Sequence, residues 1–135
     1  RTLKENNISL NKNYYQESLL GSTNNGVKLT RKLLSLKKPP TAIICSLDKF
    51  FIGSLQECEN QKLNVGKDIS IVGYNDYDIF LSTKNLTYVS HPIAQMGIDS
   101  VNILNKLENG YNPEEVSILI QPILHEGKSD GPLVK

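Results

Sequence analysis

Residues 69–76 read ISIVGYND, and this run decides the architecture. Ile69 to Val72 is nearly continuously apolar and rich in β-branched side chains, as in a parallel strand covered on both faces. It stops at Gly73, a residue suited to a close backbone approach or a turn rather than to chemistry. Just upstream, Asn64 to Asp68 has turn composition. Before that, Phe51, Ile52, Leu55, Cys58 and Leu63 follow the 3.6-residue period of a helix running from Asp48 to Lys62, with Asp48 placed to cap it. Thr41 to Cys45 (TAIIC) reads as a second buried strand.

Further upstream, Ser22 is a natural N-cap for a helix that carries Leu29, Leu33 and Leu36 on one face and stops before Pro39 and Pro40. Tyr14 to Ser18 is a weak strand candidate, and the polar tract Arg1 to Asn13 has the character of a helix tail. Downstream, Leu86 to Ser90 (LTYVS) is a third strand. Pro92 fits the first turn of a helix whose inner face would be Ile93, Met96, Val101, Leu104 and Leu107, ending near Gly110. Val116 to Ile120 and Ile123 to His125 read as short terminal strands on either side of Pro122. Strands alternating with helices imply a three-layer α/β/α unit on a parallel sheet, with ligands beyond the carboxyl ends of the strands. The segments to watch are therefore Ser46 to Asp48, Tyr74 to Asp76 and Ser90 to Pro92.

The chain has 135 residues, enough for one domain or part of one, and 15 basic against 14 acidic residues leave a net charge of +1. That balance, without long single-sign blocks, lacks the electrostatic footprint of a nucleic-acid binder. Two cysteines, Cys45 in a strand and Cys58 in a helix, read as reduced core thiols rather than a disulfide framework. No apolar stretch approaches the roughly 18 residues of a membrane span. Opening at Arg1 in helix-tail composition, the chain reads as a piece of a longer protein.

Catalytic and nucleotide motifs fail on inspection. Gly21 to Lys28 (GSTNNGVK) has phosphate-loop glycine spacing, but Val27 stands where the lysine belongs; Gly127–Lys128–Ser129 completes the same motif only with Pro122 in place of its first glycine. No GxGxxG fingerprint or GxSxG elbow is present, and His91 and His125 lack the HExxH or Cys-pair company of a metal site. The sequence gives no ground for an enzyme, a cofactor or a metal.

Three segments in order, PTAIICSLDKFFIG (40–53), LNVGKDISIVGYND (63–76) and LTYVSHPIAQMG (86–97), resemble the effector-binding domain of the LacI/GalR-type bacterial transcription regulators. The closing ILHEGKSDGP is similar to that family's last strand and tail. The resemblance implies a periplasmic-binding-protein-like (type I) α/β fold, here incomplete. About residues 1–85 would belong to the C-terminal lobe, 86–120 to a segment returning to the N-terminal lobe, and 121–135 to the final crossing and tail. Cut off from that second lobe, the apolar face of the 93–110 helix would stand exposed or pack on a substitute.

By the same resemblance, effector contacts fall on Ser46, Tyr74, Asn75, Asp76 and His91, with Asn75 able to bridge two neighbouring hydroxyls. Asp48 keeps the family's capping carboxylate, while Leu47 replaces its usual ligand-contacting amide. Gly21 stands where several relatives place an aromatic ring against a sugar, and both changes depart from the pattern for a typical hexose. Phe50 and Phe80 fall on the surface through which the family dimerises. The implied function is sugar sensing in a cytoplasmic homodimer that meets operator DNA through an N-terminal helix-turn-helix absent from this chain. A periplasmic sugar-binding protein of a transport system shares the fold and is the alternative.

Overall fold

A computed structural model describes residues 2–9, 11–74 and 85–132. After one helical turn, α1 (Thr2–Glu5), the principal elements are α2 (Thr23–Leu34), β1 (Ala42–Cys45), α3 (Asp48–Asn60), β2 (Ser70–Tyr74), β3 (Tyr88–Ser90), α4 (Ile93–Glu108) and β4 (Ile123–His125). Among the described residues the sheet has four strands in the order β1-β2-β3-β4, the first three parallel and β4 antiparallel to β3. The parallel βαβ step through α3 follows from the alternation seen in the sequence. The antiparallel last strand does not; it arises because the chain leaves from β3 and comes back beside it.

Ser22 caps α2 as its sequence predicts, its Oγ accepting from the Asn25 N–H at 3.1 Å. At α3 the cap lies one residue earlier than expected. Leu47 is the N-cap, extended and without a side-chain cap bond, and Asp48 is the first helical residue. Its carboxylate accepts from the Lys49 N–H at 2.7 Å, so it still satisfies one free amide of the first turn.

The core is Leu33, Ile43, Cys45, Phe51, Cys58, Ile69, Ile71 and Tyr88. Phe51, Cys58 and Ile71 are wholly buried, and the large apolar side chains of Phe51 and Ile71 each contribute roughly 1.5–3 kcal/mol. The Phe51 ring lies so close over β2 that a Cβ at Gly73 would come within 3.0 Å of it, which is why the strand carries a glycine there. α2 and α3 cross at Gly26 and Gly53 and together cover one face of the sheet. On the other face Ile44 is 81% exposed, so β1 is covered on one side only among the described residues.

Two expected strands do not form. Lys12–Tyr14 is a 3-10 turn capped by Asn11, whose Oδ1 accepts from the Asn13 N–H at 3.0 Å, and Gln16 Nε2 donates to Asn13 O at 3.1 Å, while Tyr14 Oη reaches across to Lys38 O at 2.9 Å. Side chains that satisfy nearby backbone compete with a ladder, and β1 is left as a sheet edge. Val116 closes a second 3-10 turn, Pro113–Val116, fixed by a capping box between Asn112 and Glu115, and residues 117–122 run without regular structure. α4 buries no residue, and Ile93, Met96, Val101 and Leu104 are all exposed.

Candidate functional site

Because β1, β2 and β3 run parallel, their carboxyl ends reach one edge of the sheet, where ligand sites of open α/β sheets lie. The last paired row, Cys45 beside Gly73, puts Ser46 alongside Tyr74 at that edge, and Tyr74 in turn pairs with Val89, two residues before His91. Ser46 is exposed. Tyr74 and His91 meet edge to face, with ring centroids 4.8 Å apart and planes at 89°. The Tyr74 hydroxyl stands 3.5 Å from His91 Nδ1, at the long limit for a hydrogen bond. Three of the five expected contact residues are thus gathered at one edge. Asn75 and Asp76 lie outside the described residues, as does Phe80.

Next to this edge a groove of about 690 Å³ follows the free side of β1 and is lined by Tyr14, Tyr15, Ile44, Ser46, Leu47 and Phe50 among others. Phe50, expected on the dimer surface, is half-buried and packs in part against the core. Its backbone abuts Gly26, whose Cβ would fall 2.8 Å from Phe50 Cα. Position one turn into α3, facing α2, is the reason.

The same edge holds the base of the crossing. Ser90 pairs with Ile123 and Tyr88 with His125, so the chain departs beyond β3 and returns into β4 side by side. Ser90 Oγ and His125 Nε2 are 2.8 Å apart, and the His125 ring stacks on Tyr88 at 4.4 Å with planes 7° apart. His91 and Pro92 follow directly.

At the opposite, amino end of β2 and β3 the tail forms a polar staple that the sequence reading missed. Ser129, 1% exposed, donates its hydroxyl to Ile71 O at 2.7 Å and accepts from the Thr87 N–H at 2.8 Å. Its carbonyl accepts from the Ile71 N–H at 2.7 Å. The Thr87 hydroxyl donates to Asp130 and accepts from the Gly127 N–H. Small polar residues between two glycines, GKSDG, were the available signal, and spacing gave no way to foresee the partners.

A second missed feature ties the helices together. Arg31 grips Glu57 in two hydrogen bonds of 2.9 and 2.8 Å, Gln61 adds a third at 2.7 Å, and the Glu57 side chain is 2% exposed. The Arg31 hydrogen bonds hold the carboxyl well below its usual range, at about 2, against the opposing effect of burial. Behind it, Thr30 and Ser54 hydroxyls lie 2.7 Å apart, and Ser54 reaches Cys45 Sγ at 3.3 Å. Burial pushes the free thiols of Cys45 and Cys58 up to about 11, so neither is a nucleophile near neutral pH. Among the described residues no cluster of three or more His, Cys, Asp or Glu could hold a metal, and no helix is long and apolar enough to cross a membrane.

The model of the periplasmic binding protein-like domain matches residues 1–129. The repressor CytR of Escherichia coli K12 is 32% identical over 80 residues, covering 58% of this chain and 24% of that protein. The ribose operon repressor of Haemophilus influenzae is 33% identical over 115 residues, covering 84% of this chain and 33% of that protein. The crystal structure of a regulatory protein of the LacI family from Chloroflexus aggregans superposes with a TM-score of 0.83 at 28% identity, over 96% of this chain and 47% of the other. The chain therefore spans about a quarter to a third of the length of these curated relatives.

Proposed function

From the premise that this chain belongs to the periplasmic binding protein-like domain family, in its LacI/GalR-type regulator branch, we propose that it is the effector-sensing part of a DNA-binding transcription regulator. The observation that carries the reading is the shared edge. Tyr74 and His91 meet where the chain crosses out of the sheet, one residue beyond the Ser90–Ile123 row that anchors the crossing. A small molecule held by Tyr74, His91 and Ser46, with Asn75 and Asp76 from the adjoining segment, would bear directly on the crossover strands. Ligand affinity that differs between two lobe orientations shifts their populations, and operator affinity with them.

In this reading residues 1–85 serve the C-terminal lobe, 86–120 return to the N-terminal lobe, which supplies the cover that the apolar face of α4 lacks here, and 121–135 form the final crossing and tail. The ligand is a sugar-class effector. The assembly is a cytoplasmic homodimer, contacting itself near Phe50 and Phe80 and reaching operator DNA through a helix-turn-helix outside this chain. It carries out no catalysis and uses no cofactor. The transport alternative loses ground because the relatives named above are transcription regulators.

A thermal-shift screen of the full-length protein against mono- and disaccharides and purines tests this. A ligand at 100 times its Kd stabilises the native state by about 2.7 kcal/mol. The expected result is a sugar whose shift is lost in His91→Ala and Asn75→Ala; a shift that both variants retain in full would place the ligand elsewhere and refute the assignment.

A further inference from the structure

We propose that His125 is a positioning residue that clamps the outgoing strand β3 and the returning strand β4 into one ribbon, so that binding at the effector site moves both crossing strands together. The inference rests on the effector-sensing reading above and adds the device that carries the site's output.

β4 has few other means of holding its place beside β3. It pairs over three residues, has no strand on its far side among the described residues, and leaves Ile123 and Leu124 exposed. So short a ladder, with its apolar residues unburied, specifies register weakly, and a slip of one residue would turn each side chain of β4 to the other face.

His125 supplies the missing constraint. It stands opposite Tyr88 in the ladder, and the two rings stack with centroids 4.4 Å apart and planes 7° apart. Its Nε2 also reaches diagonally to Ser90, the next residue on the same face of β3, whose Oγ lies 2.8 Å away, with the donor set by the histidine tautomer. One side chain thus engages two residues of the outgoing strand, and both are buried. A one-residue slip would put Leu124 opposite Tyr88 and forfeit both contacts.

The clamp also sits at a boundary. Beyond His125 the tail is already fixed, because the Lys128 N–H donates to Asn85 O at 2.6 Å and a Cβ at Gly127 would run into the Asn85 and Leu86 backbone. Ahead of β4, residues 117–122 have no regular structure. On the outgoing side Ser90 ends β3, and the next residue is His91, which the proposed effector touches. A displacement of His91 is carried through Ser90 to His125, and the returning strand follows.

The test is hydrogen exchange of the full-length protein, read by mass spectrometry with and without saturating D-glucose, D-galactose, D-ribose or sucrose, with affinities from calorimetry. In the wild type at least one of these sugars should slow exchange about fivefold or more in peptides covering 86–91 and in those covering 117–125. In Ser90→Ala and His125→Ala the Kd should stay within about threefold and the response of 86–91 should persist, while that of 117–125 falls below about twofold. His125→Gln, whose amide can still bond the Ser90 hydroxyl, should restore it. If His125→Ala does not fold, Ser90→Ala carries the comparison. A lowered melting temperature with both sugar responses intact would show a merely structural contact and overturn the clamp while leaving the sensor reading in place. Affinity lost more than about tenfold in Ser90→Ala would make Ser90 a ligand contact and overturn it likewise. No binding of any of the four sugars by the wild type would overturn the sugar-sensing reading and this inference with it.

Discussion

Replacing Gly53 by alanine is the sharpest test of how the helical layer is built. α2 and α3 cross backbone to backbone, and a Cβ at Gly53 would stand 2.7 Å from Val27 N and 2.8 Å from Gly26 Cα, and closer still to Thr23 O. Ordinary contact begins near 3.4 Å, so the helices must part by about 0.7 Å or more, and every opposing atom is backbone that cannot rotate aside. Overpacking of this kind costs about 1–3 kcal/mol or more, while alanine returns ~1 kcal/mol of helix propensity. With rigid neighbours the upper end applies, and the expected net loss is ~2 kcal/mol. Gly97 in α4 provides the contrast, because nothing lies within 4 Å of its Cβ position. Gly97→Ala should therefore stabilise by up to ~1 kcal/mol. Urea unfolding of the 135-residue chain, followed by circular dichroism, reads both as midpoint shifts at constant slope. A Gly53→Ala midpoint at or above the wild type would refute the close crossing.

Ser129→Ala removes the bridge between β2 and β3 and strands the buried Thr87 N–H, for an expected loss of ~1–3 kcal/mol in the same unfolding assay; a change below about 0.5 kcal/mol would count against the staple. Acid should expose the Arg31–Glu57 pair. The Glu57 carboxyl sits at about 2 in the fold against ~4.3 in an unfolded chain, so its stabilisation is complete above that upper value and is lost as pH falls toward 2. Glu57→Gln should flatten this part of the stability profile, and identical slopes for the two proteins between pH 4.5 and 2 would contradict the pairing.

Much of the sheet was legible because apolar runs and their punctuation answer to local physics. TAIIC and ISIV gave two adjacent parallel strands, Ser22 gave the start of α2, and the glycine after ISIV proved to lie under the Phe51 ring. Errors arose where a local bond defeats a pattern. Asn11 and Asn112 cap short 3-10 turns at segments whose apolar residues suggested strands. The cap of α3 slipped by one because Asp48 is a good capping residue placed next to the true N-cap, Leu47. At the proposed site, the alternation of strands and helices marked the carboxyl edge, and the structure brings Ser46, Tyr74 and His91 to it. Contacts between distant segments were not: Ser129 on Ile71 spans 58 residues and Arg31 on Glu57 spans 26, and no periodicity encodes either.

The two ends of β2 and β3 are held in different ways, and that difference bears on how a sensor could work. At the amino end, backbone and hydroxyl bonds from Ser129, Thr87 and Asp130 pin the tail between the strands, with Ser129 fully buried. At the carboxyl end, among the described residues, the contacts include the Tyr74–His91 ring contact, in which Tyr74 is exposed, and the Ser90–His125 bond. Buried, mutually satisfied bonds resist opening, whereas solvent-accessible ones exchange readily with water. On the proposed reading, a change imposed at the carboxyl edge would be passed to the strands that cross out of the sheet at Ser90 and Ile123. Those strands are the ones that the proposed effector would touch through His91, so the staple that the sequence concealed is what would give the ligand its leverage.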